Sequence, residues 1–92
     1  MVYLKFLGVF KKVVGLGELF LSFNGGVLSD LIKKLVELYP NLKKALLDPD
    51  LEDPRPNALI LVNGKEISVL DGLNTKIKDD DEIIIIPVTH GG

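Results

Sequence analysis

One histidine, His90, and no cysteine or tryptophan occur among the 92 residues. Without cysteine the chain has no disulfide framework, thiolate zinc site, thiol nucleophile or persulfide. A lone histidine near the C-terminus gives a Ser-His-Asp triad or a two-histidine metal site nothing to build on. The carboxylates fall in two runs. Asp48, Asp50, Glu52 and Asp53 have the look of a calcium loop, but such a loop needs Gly at its sixth position and Glu at its twelfth. Those positions hold Asp53 and Leu59, and Pro49 and Pro54 interrupt the run, so it reads as a solvated acidic loop. Asp79-Asp80-Asp81-Glu82 reads as a strand-entry turn, using the tolerance of Asp for left-handed backbone. No metal site is expected. Gly15-Leu16-Gly17 lacks the third glycine and the following helix of a dinucleotide fingerprint. Gly25-Gly26 precedes a helix, but no phosphate-loop lysine follows.

The pair Gly91-Gly92 is different. At the average glycine frequency, two specified positions match by chance in roughly one chain in 200. The pair follows an apolar strand, so it would project a carboxylate from a rigid body on an arm slim enough to thread a narrow channel. A terminal carboxyl, with a reference pKa of about 3.3–3.7, is ionised at neutral pH and can attack the α-phosphate of ATP. The side chains suggest no enzyme, yet the terminus can be a substrate for one.

Ten Lys and one Arg stand against thirteen acids, for a net charge of -2. Lys11-Lys12, Lys33-Lys34 and Lys43-Lys44 are isolated pairs, not the basic stripe that direct nucleic-acid binding requires. The longest apolar run, Ile83 to Val88, is far short of the roughly 20 residues that cross a bilayer. No signal-peptide layout is visible, so a cytoplasmic protein is expected.

Apolar residues at period two predict a strand over Val2–Phe10, with Val2, Leu4 and Phe6 on one face and Tyr3, Lys5 and Leu7 on the other. A turn over 11–17 and a second strand over Glu18–Phe23 follow. Leu28, Leu31, Ile32, Leu35 and Leu38 recur at helical spacing, although Val27 provides no capping oxygen. Pro40 ends that helix, and a short one, capped by Asn41, is expected over Asn41–Leu47. Residues 48–57 form a loop and Ala58–Val62 a strand. Asn63-Gly64 makes a tight hairpin with Lys65–Ser68 returning, and residues 69–78, containing Gly72 and one 3₁₀ turn, connect to a last strand over Ile83–Ile86. These elements give an α+β β-grasp, or ubiquitin-like, fold, a mixed sheet of about four to five strands on one main helix. Residues 1–88 are assigned to the domain and 89–92 to a flexible C-terminal tail.

Residues 55–92 carry a closer likeness. Arg-Pro-Asn-Ala-Leu-Ile-Leu-Val-Asn-Gly, then Leu73 through Ile83, then Pro87-Val88-Thr89-His90-Gly91-Gly92, resemble the ubiquitin-like sulfur carriers. These are the small subunit of molybdopterin synthase (MoaD), the thiamine sulfur carrier (ThiS), the ubiquitin-related modifier and the small archaeal modifier proteins. Val27-Leu28-Ser29-Asp30-Leu31 stands where that family starts its helix. Two residues depart from the pattern: Asp80 replaces a usual Gly, and Val27 a common Thr cap. The resemblance implies that an E1-like adenylating enzyme uses ATP to activate Gly92, and that a thiocarboxylate follows. The sulfur would go to a pterin (through the molybdopterin synthase large subunit), a thiazole precursor, or a tRNA uridine through a tRNA thiolation enzyme. Alternatively, Gly92 would be joined to substrate lysines. Gly91 keeps the arm slim, and His90 could add a hydrogen bond inside the partner's channel.

If Ile83 and Ile85 face the core, Ile84 and Ile86 face outward beside Tyr3 and Leu7. Such an apolar patch marks an interface, unless the 48–57 loop or a second copy covers it. The other reading of the chain is a β-grasp interaction adaptor that uses this patch and leaves the tail idle.

Overall fold

The computed structural model of the chain describes residues 1–88; the predicted tail positions His90, Gly91 and Gly92 lie outside them. In chain order the elements are β1 (Val2–Phe6), α1 (Gly8–Val14), β2 (Glu18–Leu21), β3 (Gly26–Val27), α2 (Leu28–Leu38), α3 (Pro40–Leu46), β4 (Ala58–Val62), β5 (Lys65–Glu66), β6 (Lys76–Ile77) and β7 (Glu82–Pro87). Strands β2-β1-β7-β4-β5 form one mixed sheet, and β3 and β6 a two-stranded ribbon. The first and last long strands lie side by side and parallel, with Leu4 opposite Ile83 and Phe6 opposite Ile85. Parallel neighbours need a long crossover, here everything from α1 to β6.

Alternation places Val2, Leu4, Phe6, Ile83, Ile85, Ala58, Ile60 and Val62 on one sheet face, where they are buried with Leu28, Leu31, Ile32 and Leu35 of α2. Each such aliphatic side chain contributes about 1.5–3 kcal/mol of burial before ordering entropy is counted. The expected β-grasp arrangement holds, as does the inward phase of β1 and β7.

Four local expectations are corrected. The first strand ends at Phe6, and residues 8–14 are helical. Gly8 (φ +56°) breaks the strand, and Gly15 (φ +85°) closes α1, its N–H bonded to the Lys11 carbonyl at 2.9 Å. The buried Phe10 ties this short helix into the core. Second, α3 starts at Pro40, whose missing N–H costs nothing in the first turn, so Asn41 is no cap. Its Leu42 and Leu46 are buried. Third, the return strand of the hairpin stops at Glu66, because Ile67–Val69 turn into a 3₁₀ helix that drives Ile67 into the core. Asn63 and Gly64 both take the positive φ that a tight hairpin requires. Fourth, the connection after Val69 contains, besides its expected 3₁₀ turn at Gly72–Asn74, the strand β6.

The missing cap of α2 is supplied from elsewhere. The Leu28 N–H bonds the Thr75 carbonyl at 2.9 Å, and the Val27 N–H reaches the Asp30 carboxylate at 3.3 Å. Asp80 is left-handed (φ +69°), which fits its replacing a glycine, and its N–H binds the Met1 carbonyl at 2.7 Å.

Candidate functional site

The helices cover only one face of the sheet. On the other, Tyr3 of β1 stands opposite Phe20 of β2, Lys5 opposite Ile84 of β7, Ile84 opposite Leu61 of β4, and Ile86 opposite Leu59. Three predicted patch residues, Tyr3, Ile84 and Ile86, therefore share one surface. Leu7 lies just past the end of β1, exposed, with its N–H on the Ile85 carbonyl at 3.2 Å. The 48–57 loop is on the helical side, where Glu52 and Pro54 line a groove of about 250 Å³ with Ile32 and Val36.

Sequence reasoning left Phe20, Leu59 and Leu61 out of the patch. Phe20 is 65% exposed; its outward phase was legible, but its pairing with Tyr3 was not. In β4 both phases are aliphatic, so period gives no orientation, and only the register opposite β7 turns Leu59 and Leu61 outward.

Tyr3 sits in a small polar and aromatic cluster. Its ring meets Phe20 at 4.9 Å between centroids, tilted 41°, and the Lys5 Nζ lies 5.9 Å from its centroid. The Glu18 carboxylate attracts the phenolic proton and, with partial desolvation and the charges of Glu18 and Glu82, pushes the Tyr3 pKa up to about 12.

The root of the tail is held from three sides. Pro87 pairs with Ala58, and the Val88 N–H bonds the Asn57 carbonyl at 3.0 Å. A Cβ on Gly8 would stand 2.7 Å from Pro87 Cγ, so only glycine leaves room for β7 to end there. Asn57 is in turn tied to the Leu46 carbonyl through its side-chain amide at 3.2 Å. The central strand thus ends at Pro87, a fixed point five residues before Gly92.

Both carboxylate runs are occupied in shaping backbone. Asp48 Oδ1 accepts the N–H groups of Asp50 and Leu51, at 3.0 and 2.9 Å. Asp53 grips Arg55. Asp81 accepts from the Asn63 amide at 2.9 Å and from the Lys78 N–H at 2.7 Å.

A five-stranded mixed sheet with parallel terminal strands, one main helix across one face and an open apolar other face defines a β-grasp protein of the ubiquitin-like class. The ThiS family matches residues 4–92, and the chain belongs to it. Small archaeal modifier protein 3 of Haloferax volcanii is 28% identical over 90 residues, covering 97% of this chain and 96% of that one. The solution structure of small archaeal modifier protein 1 from Methanosarcina acetivorans superposes with a TM-score of 0.84 at 33% identity, covering 99% and 95% of the two chains. CysO, in the crystal structure of the Amycolatopsis orientalis BexX/CysO complex, shares the fold at a TM-score of 0.81, with 18% identity and full coverage of both chains. The protein is one of the small ubiquitin-like sulfur carriers and modifiers, which are not themselves enzymes.

Proposed function

We propose that this protein carries activated sulfur, or itself, on the carboxylate of Gly92. An E1-like adenylating enzyme joins that carboxylate to the α-phosphate of ATP, and pyrophosphate leaves. A sulfide equivalent then attacks the acyl carbon, AMP leaves, and a thiocarboxylate remains. This species passes sulfur to a pterin, a thiazole precursor or a tRNA uridine; attack by a lysine amine instead gives an isopeptide. The setting is cytoplasmic, where ATP and such enzymes meet; among the described residues no helix is long and apolar enough to cross a membrane.

The observation that carries the reading is the family match through Gly92, set beside a central strand clamped at Pro87 and Val88. A rigid root limits where the carboxylate can go, which lowers the entropy lost on entering an active site. CysO of Amycolatopsis orientalis forms a complex with BexX; by analogy, this chain docks on a partner protein. His90 is assigned no acid–base work.

The test is removal of Gly91-Gly92. Pyrophosphate exchange with the E1-like enzyme of the same genome is expected to vanish, while the thermal transition stays where it was. Continued exchange by the truncated chain overturns the reading. Intact mass of the protein from its host then separates the branches. Replacement of one oxygen by sulfur marks the carrier, and attachment to larger proteins marks the modifier.

A further inference from the structure

The five-stranded sheet has two edges, and they are finished differently. One ends in β5, two residues long, whose chain turns at once into a 3₁₀ helix. The other ends in β2, four residues paired with β1 without a break in register. Among the described residues no strand lies on its outer side. Short strands, lysines, prolines and bulges are the usual means of closing a sheet edge to further pairing. Of such devices β2 carries only the charge of Glu18.

One bond fixes which backbone groups point outward. The Phe6 N–H bonds the Gly17 carbonyl at 2.9 Å, so along this antiparallel ladder Leu4 with Leu19 and Val2 with Leu21 are the hydrogen-bonded pairs. The N–H and C=O groups of Glu18 and Phe20 therefore face away from β1. Ser22 is the next outward position, and its carbonyl accepts from the Lys34 ammonium of α2.

This edge is complementary to itself. Laid antiparallel on a second copy about a two-fold axis at Phe20, it pairs Phe20 with Phe20, Leu19 with Leu21 and Glu18 with Ser22. No like charges stand opposite each other, whereas an axis at Glu18 would oppose two carboxylates. The pairing also sets Glu18 of each copy beside the Ser22 carbonyl that holds Lys34 in the other, so opposite charges meet at both ends of the interface. On the open face the exposed Phe20 rings come together and join the Tyr3–Phe20 pairs of the two copies.

We propose that the chain forms a two-fold dimer through the outer edge of β2, with one continuous sheet running through both copies. β1 separates β2 from β7, so Pro87 and Val88 stay clear of the interface. The two-fold axis reverses the strands, so the tails leave at opposite ends while both open faces lie on one side.

Sedimentation equilibrium of the full chain over a concentration series is expected to show reversible dimerisation. Over the same series the Phe20 amide gains protection from exchange, while those of Leu19 and Leu21, bonded to β1, are protected throughout. Phe20→Pro removes only an outward donor, a change that edge strands tolerate, and is expected to leave a folded monomer. Charge reversal tests the register without touching the backbone. Glu18→Lys and Lys34→Glu each set like charges together at both ends, and each is expected to raise the dimer Kd at least about tenfold. An equimolar mixture of these two variants restores opposite charges at both ends, and mixed dimers form with near wild-type affinity. A wild-type chain that stays monomeric up to about 1 mM overturns the proposal and leaves the edge to an extended segment of another protein. A dimer that neither charge variant weakens, or whose variants fail to complement on mixing, uses another surface or register and overturns it as well.

Discussion

Tyr3 shows how one residue can belong to a surface and still have its chemistry set by neighbours. It is an outward residue of a central strand, flanked by Phe20, Lys5 and Glu18. A carboxylate beside a phenol opposes formation of the phenolate, which explains a pKa pushed up to about 12. The sign follows directly. The folded state holds the proton more tightly than the unfolded chain, whose tyrosines titrate near 10. The contribution to stability is therefore complete below pH 10 and is lost as pH rises toward 12. Ultraviolet titration is expected to show Tyr3 ionising well above an ordinary tyrosine, and Glu18→Gln is expected to bring it down. A Tyr3 titration that Glu18→Gln leaves unmoved would remove Glu18 as the cause. Glycine also acts at this scale. Gly8 combines a left-handed φ with a contact against Pro87 that no side chain can share.

At the scale of elements, α1 is the lesson about what a sequence can hide. Val9, Phe10, Val13 and Val14 have helical spacing, but β-branched and aromatic residues favour strands, and they directly continue a true strand. The decisive signals were Gly8 and Gly15 at either end, each adopting a positive φ, which a composition count does not register. A seven-residue helix is marginal alone, so its packing must hold it. Phe10 is its one buried residue. Phe10→Ala is expected to cost about 3–5 kcal/mol in denaturant unfolding, with amide exchange rising first in residues 8–14. A loss below 1 kcal/mol would mean that something else holds α1. The other long elements were legible: α2 from five leucines and isoleucines at helical spacing, β1 from the alternation around Lys5, and β7 from a β-branched isoleucine run, which marks a strand but gives it no orientation. The ribbon of β3 with β6 was not legible. It joins residues about fifty positions apart, and the Thr75 carbonyl that caps α2 is a tertiary contact with no local trace. The site was half legible for the same reason: Tyr3 follows from the phase of β1, Ile84 and Ile86 follow once Ile83 and Ile85 are assigned to the core, whereas Phe20, Leu59 and Leu61 need the register.

For the whole molecule, the layers divide the work. Helices and loop 48–57 seal one sheet face, the clamp at Pro87 and Val88 fixes where the tail begins, and the other face stays open. Ile84 lies at the middle of that open face, with Lys5 on one flank and Leu61 on the other. A charge placed there faces water in the free protein but would be buried unpaired under any partner that docks on the sheet, at a cost of several kcal/mol. Ile84→Asp is therefore expected to weaken binding to the adenylating enzyme by at least about a hundredfold, or about 2.7 kcal/mol, while the free protein remains folded. Phe20→Asp, at the more exposed edge, guards against a strand defect at Ile84 and should weaken binding in the same direction. The pair of measurements also separates carrier from adaptor. In a carrier, removing Gly91-Gly92 abolishes adenylation yet leaves docking on the face largely intact, and Ile84→Asp impairs both. In an adaptor, Ile84→Asp destroys function and the truncated chain retains it. Full-strength binding by both charged variants would show that partners approach by the tail and its root alone, leaving the open face to some other use.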